Sequence, residues 1–309
     1  MTFAGQDCAR LGCRVFHAKQ GGCMSWFAWT LVLAGAVCHA LWNLIAKRVA
    51  SGGAPFVWLY GVVSLCWLTP LAIWQAQALT WTPAMLAVVL GSALLHAVYS
   101  LVLQRGYQRA PFSLVYPLAR GSGPLLSALG ATLWLAEAPS ARGWGGIALL
   151  IAGIGLLSRG GQAEADPARQ RAGIGWGLTT GACIAAYTLV DGVAVKTLAM
   201  PPLVFYGYSL LARSVLLAPL AWRQPQAMRR QARDHWRAAL LVGVLSPLAY
   251  ALVLFALQIA PLSYVAPVRE VSMLLASWLG ARYLGEALTA QRLAGSALML
   301  LGVALLAGA

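Results

Sequence analysis

Ala110 to Ala131 reads APFSLVYPLARGSGPLLSALGA, and Ala260 to Ala281 reads APLSYVAPVREVSMLLASWLGA. About half the positions are identical at a constant offset, which is far above chance even for apolar sequence and identifies an internal repeat. Upstream, Tyr99–Leu103 (YSLVL) matches Tyr250–Leu254 (YALVL); downstream, Glu137 pairs with Glu286 after one gap. Both copies then end in a glycine-bearing apolar segment. Gly35-Ala36 and Gly181-Ala182 carry the match weakly back to the start of each copy.

The repeat sits in a chain built for lipid. Of 309 residues, 60% are hydrophobic and 10% charged, against roughly 25% charged in a soluble domain. Long apolar runs recur without the period-two alternation of a membrane barrel, so the spans are helical. They read as Trp26–Lys47, Phe56–Trp74, Pro83–Gly106, Phe112–Leu135, Arg142–Leu157, Gly173–Val195, Leu203–Trp222, Ala238–Ile259, Leu262–Leu284 and Gln291–Ala307. The expected fold is an all-α integral membrane protein of ten transmembrane helices in two five-helix repeats. Five crossings are an odd number, so the second copy enters the membrane upside down, giving an inverted-topology repeat. The expected units are a tail at 1–25, a first repeat at 26–158, a polar linker at 159–172 and a second repeat at 173–309. The tail lacks the apolar core of a signal peptide. Either Met24, which opens directly into an apolar helix, is the true start, or the tail is a short disordered extension.

The net charge of +14 does not imply nucleic acid, because the cations lie in short loops between apolar segments, where they set orientation. Loops after odd-numbered segments hold Lys47, Arg48, Arg105, Arg109, Arg159, Arg169, Arg171, Arg223, Arg229, Arg230, Arg233, Arg237, Arg282 and Arg292. Loops after even-numbered segments hold Arg142 and Lys196, plus Arg10, Arg14 and Lys19 of the tail. The positive-inside rule puts the first set in the cytoplasm and both termini outside. The six cysteines form no CxxC pair. No phosphate-binding loop, metal motif or nucleophile–base set is present, so no enzyme, cofactor or metal is expected. The expected partners are a small-molecule substrate and the lipid bilayer, with a homodimer left open.

Ionisable residues at bilayer depth are costly there and point to function. Arg120 follows Pro117 in the fourth segment, and Arg269 and Glu270 follow Pro267 at the matching place in the ninth. Asp191 lies in the sixth segment and Arg213 near the centre of the seventh. One reading is a central cavity lined by these groups. The other is that Arg269–Glu270 and Asp191–Arg213 are ion pairs locking the bundle. His39, Asn43 and Lys47 share one helix face, with Lys47 expected to snorkel to the interface. His96 has Tyr99 and Ser100 beside it. Tyr99, Tyr116, Tyr187, Tyr250 and Trp42 either stack on a ligand or fill gaps between helices. The expected substrate residues are Arg120, Arg269, Glu270, Asn43, Tyr99, Tyr116 and Tyr187. Candidates for carrying a coupling proton are His39, Asp191 and Glu270. An excess of arginine suits an anionic or zwitterionic metabolite.

With HALWNLIAKR at 39–48, HAVYSLVLQRGY at 96–107, SLVYPLARGSGPLL at 113–126 and APVREVSMLLASWLGARYLGE at 266–286, the chain resembles the drug/metabolite transporter superfamily, and more narrowly its EamA-type members. AAYTLVDG at Ala185–Gly192 resembles a branch of phosphonate-utilisation-associated membrane proteins. The resemblance implies two EamA-like repeats around a central cavity, secondary transport across the inner membrane by alternating access, and Pro117–Arg120 and Pro267–Glu270 as paired inner elements. It also implies both termini in the cytoplasm, opposite to the reading from loop charges. A lipid-intermediate flippase and a non-transporting assembly subunit are the alternatives.

Overall fold

A computed structural model describes residues 25–76, 79–134, 140–158, 166–259 and 268–307. The tail up to Met24, Glu137, the first half of the polar linker and the start of the ninth segment lie outside them. Among the described residues the chain is all helix, with no strand. The helices are α1 (Trp26–Arg48), α2 (Gly53–Ala76), α3 (Pro83–Arg109), α4 (Phe112–Trp134), α5 (Ala141–Ser158), α6 (Pro167–Gly192), α7 (Pro202–Trp222), α8 (Pro225–Asp234), α9 (Trp236–Ile259), α10 (Ser272–Leu284) and α11 (Ala290–Ala307). Among the described residues six stretches are long and apolar enough to cross a membrane: Trp26–Arg48, Ala50–Ala76, Pro83–Arg109, Pro167–Val195, Pro202–Trp222 and Trp236–Val253. Ala141–Leu157 and Ala290–Leu306 are shorter apolar helices.

Local chemistry explains three starts. Ser25, Thr82 and Asp166 each lend a side-chain oxygen to backbone N–H groups one turn on, at the heads of α1, α3 and α6. Pro83 and Pro167 then occupy the first helical position, where no N–H is needed. The Asp166 cap carries α6 into what the composition suggested was linker. A second difference is α8, a short arginine-rich helix where a loop was expected; Pro225 at its first position nucleates a run of good helix formers.

Close glycine contacts fix how the helices run. A Cβ added to Gly146 of α5 would come within 2.8 Å of the Gly302 carbonyl oxygen of α11, and one on Gly302 within 2.8 Å of the Gly146 oxygen. Gly153 and Gly295 meet in the same reciprocal way, so α5 and α11 are antiparallel. Gly173, Gly177 and Gly181 of α6 face Leu114, Leu118 and Ser122 of α4 in register, which makes that pair parallel. Backbones approach this closely because lipid gives helices no hydrophobic drive to associate, leaving packing to do it. Gly35 of α1 lies against Ala249 and Val253 of α9, and Gly207 of α7 against Ala72 of α2. Thus α1 packs on α9 and α10, while α6 packs on α3 and α4; α2 lies on α7, and α5 on α11.

Pro247 bends this scheme to a purpose. Lacking an N–H, it leaves the Gly243 carbonyl in α9 without a helical partner. Ser64 Oγ (2.9 Å) and Trp67 Nε1 (3.2 Å), both on α2, donate to that carbonyl instead.

The outer surface is apolar. Leu86, Leu90, Leu94 and Val98 form an exposed stripe along α3, as a lipid-facing helix requires. Exposed tryptophans cluster near helix ends: Trp26, Trp74 and Trp144 toward one end of the bundle, Trp222 and Trp236 toward the other. The second end is the basic one. There Arg105, Arg223 and Arg230 line a cavity of about 520 Å³ between the start of α2, the ends of α3 and α7, and α8.

Candidate functional site

The fourth and ninth segments meet in the bundle core. Arg120 of α4 grips Glu270 with both nitrogens of its fork: Nε donates to Oε2 at 3.0 Å and Nη2 to Oε1. Arg269 Nε donates to the same Oε1 at 3.1 Å. The Arg269–Glu270 pair is therefore present, and Glu270 is shared with Arg120. Glu270 is 1% exposed, whereas the Arg269 side chain keeps 40% exposure. Two guanidinium groups on one carboxylate leave the cluster one positive charge in excess. Residues 270 and 271 form a turn ahead of α10, so the carboxylate stands on non-helical backbone. Such backbone is tolerated at membrane depth where it is buried in protein or lines a cavity. Beside it, Tyr116 Oη donates to Ser272 Oγ at 3.0 Å. The Tyr116 ring lies 6.1 Å from His39.

His39 and Asn43 are tied into packing. Trp42 Nε1 donates to His39 Nδ1 at 3.2 Å. Asn43 Nδ2 donates to the His39 carbonyl at 2.8 Å, and Tyr107 Oη donates to Asn43 Oδ1 at 2.8 Å, joining α1 to α3. Lys47 does reach the end of the bundle. Its ammonium donates to the carbonyls of Tyr107 and Ala110, capping α3.

Asp191 forms a second polar centre with α3. Ser92 Oγ donates to Asp191 Oδ1 at 2.7 Å, and His96 Nε2 lies 3.8 Å from Oδ2. His96 Nδ1 is 3.0 Å from the Ser92 carbonyl, a contact that fits an Nδ1–H tautomer and turns Nε2 toward the carboxylate. Tyr187 stacks on His96 with ring centroids 4.1 Å apart, and Tyr99 closes edge-on at 5.5 Å from Tyr187. Directly after Asp191, α6 runs into a π-helical turn at Val193–Thr197, a local unwinding often found beside functional groups. Asp191 does not pair with Arg213. Of the two ion pairs in the locking reading this one is therefore absent: Asp191 sits against Ser92 and His96 of α3, while Arg213 faces α2 beside Gly61.

Two residues were read differently from the sequence. Glu286 accepts from the backbone N–H groups of Phe112 (2.5 Å) and Ser113 (2.7 Å), capping α4 from 174 positions away. Gly285, at φ 66°, makes the left-handed turn that swings Glu286 into place. The only sequence signal for this was a glutamate recurring in both repeats. Arg292, counted with the loop cations, is buried and donates to Ser113 Oγ at 2.7 Å.

Residues 171–308 match the family model of the EamA-like transporter family. The second half of the chain is similar to that family. A curated relative, the uncharacterized transporter YwfM of Bacillus subtilis (strain 168), is 27% identical over 244 residues, which cover 77% of this chain and 79% of the relative. A solved structure described only as a crystal structure of a protein superposes with a TM-score of 0.54 at 16% identity, over 90% of this chain and 95% of the other. That likeness is one of fold alone. The family and the relative agree with the expected place among EamA and drug/metabolite transporters; neither speaks for the phosphonate-utilisation branch. The apolar helices and the family match indicate a multi-pass membrane protein, and the family and the relative's name point to a transporter rather than an enzyme.

Proposed function

We propose that the protein is a secondary transporter of the inner membrane, moving a small anionic or zwitterionic metabolite by alternating access between two inverted five-helix repeats. The observation that carries this reading is the Arg120–Glu270 pair. It joins the EamA-like second half to the first half of the chain, at bilayer depth and on irregular backbone, beside a partly exposed Arg269. The packing is reciprocal in a way that favours inverted repeats: α1 on α9 and α10 mirrors α6 on α4 and α3, and α2–α7 and α5–α11 pair like with like. Two such halves offer two similar packings, one open to each side. Asp191, Ser92 and His96 make a suitable proton-exchanging group. The basic end, with Arg105, Arg223 and Arg230, favours that end as cytoplasmic.

Single-cysteine accessibility tests the mechanism. Cysteines beside Tyr116 and Tyr187 should label from both sides of sealed vesicles. Substrates present on one side should shift the ratio. Labelling from one side only, whatever is added, rejects alternating access. The full engagement of Arg120 by Glu270 favours a second reading, a non-transporting assembly subunit in which the pair is a lock; proteoliposomes that never accumulate or exchange solute would support it.

A further inference from the structure

Arg213 lies at the middle of α7, in the bundle core. It is 9% exposed, yet among the described residues it has no carboxylate within ion-pair distance and no hydrogen-bond acceptor. A guanidinium so placed costs several kcal/mol in a membrane interior unless paired or hydrated. The other buried arginines are held: Arg120 by both oxygens of Glu270, and Arg292 with a bond to Ser113 Oγ.

A second orphan lies one turn away. The Ser209 hydroxyl is buried and has no partner. Helical serines elsewhere in the bundle donate to the carbonyl four residues back: Ser100 to His96, Ser122 to Leu118, Ser214 to Leu210 and Ser277 to Met273. Ser209 does not. Residues four apart share a helix face, so two unused donors sit one above the other on α7. Across from them Gly61 of α2 lets the backbone lie against this face, since an added Cβ would meet Ser214 Oγ at 3.4 Å and Arg213 Nη2 at 3.9 Å. Tyr60 precedes Gly61 on α2, and Tyr206 lies two turns before Arg213 on the same face of α7. Tyr206 in turn packs on Tyr250 of α9, with ring centroids 4.7 Å apart.

We propose that Arg213, with the Ser209 hydroxyl, is the anchor for the negatively charged group of the transported molecule, which carries a carboxylate or a similar oxyanion. The assignment rests on the transporter reading and names the class of its substrate. A guanidinium fork matches a carboxylate or phosphonate with two parallel bonds. The tyrosines leave the rest of the molecule an aromatic surface with hydroxyl groups. Holding the cation empty until substrate arrives sacrifices stability for recognition, as binding sites commonly do.

The test uses purified full-length protein and two readouts. Thermal unfolding is recorded without ligand, then with amino acids, simple monocarboxylates and phosphonates, each beside its neutral amide or ester. Wild type should be stabilised by at least one acid and not by its neutral derivative. Arg213→Met should unfold no earlier than wild type without ligand, and its apparent affinity for that acid should fall on the order of tenfold or more. Arg213→Lys keeps the charge without the fork and should show a smaller shift with the same acid. Three results overturn the proposal: a Met variant that fails to fold or unfolds earlier, an undiminished acid shift in that variant, or no acid of the three classes acting on wild type. Acid binding that depends on Arg213 without two-sided cysteine labelling would instead sink the transport mechanism and leave the anchor standing.

Discussion

Arg120 and Glu270 are each other's counterparts in the internal repeat, 150 positions apart, and they are bonded to each other. A contact between repeat counterparts is what the proposed two-fold relation between the copies would place near its axis. The glycine contacts follow the same logic. At an offset of 149, Gly146 corresponds to Gly295 and Gly153 to Gly302, and the contacts are crossed: Gly146 with Gly302, Gly153 with Gly295. Crossed pairs of this kind are what a two-fold interface generates.

Breaking the central pair from one side should be costly. Glu270→Gln or Arg120→Gln leaves the partner's charge buried and uncompensated, a loss of about 3–5 kcal/mol. The exchange Arg120→Glu with Glu270→Arg restores opposite charges at two positions made equivalent by the axis. Thermal unfolding in detergent should therefore rank the double variant well above both single ones. A double variant no better than either single one would contradict the axial placement.

The α5–α11 contact leaves no room for side chains. Gly146→Leu and Gly302→Leu should each destabilise by about 1–3 kcal/mol, because the new Cβ meets backbone rather than a yielding side chain. Gly155, with nothing within 4 Å of an added Cβ, should accept alanine without loss. Unfolding midpoints of the three variants make the comparison.

Glu286 places a full negative charge on the head of α4. Glu286→Ala removes both acceptors of the Phe112 and Ser113 N–H groups and should cost about 1–2 kcal/mol. Gly285→Val should reproduce much of that loss by straining the turn at φ 66°. Hydrogen exchange at the start of α4 should quicken in both variants.

Asp191→Asn keeps the Ser92 contact but can no longer exchange a proton. In proteoliposomes, uptake driven by a pH gradient should disappear while substrate-for-substrate exchange continues. Equal loss of both activities would assign Asp191 to binding or structure instead.

Much of the architecture follows from hydropathy. Ten apolar segments were read from the sequence, and the described helices coincide with them closely where both can be compared. Asp166 shows why one boundary moved: a capping side chain starts a helix in polar sequence that hydropathy assigns to a linker. The site was legible as a set of residue types but not as a set of partners. Asp191 and Arg213 looked like a natural pair on adjacent helices, yet α6 turns Asp191 toward α3, and which way a helix is rotated depends on packing distant in sequence. The Glu286 cap was unreadable for the same reason, because its acceptor and donors belong to opposite halves of the chain.

The carbonyl that Pro247 frees has a mechanical consequence. Because Ser64 and Trp67 hold it, the bend in α9 is fastened to α2, which belongs to the other half of the sequence. Any rocking that exposes the core must carry these two helices together, or first give up both bonds in a medium that offers no replacement. In the alternating access proposed above, α2 of the first repeat and α9 of the second would then move as one body, so that the rearrangement would involve groups of helices drawn from both inverted repeats.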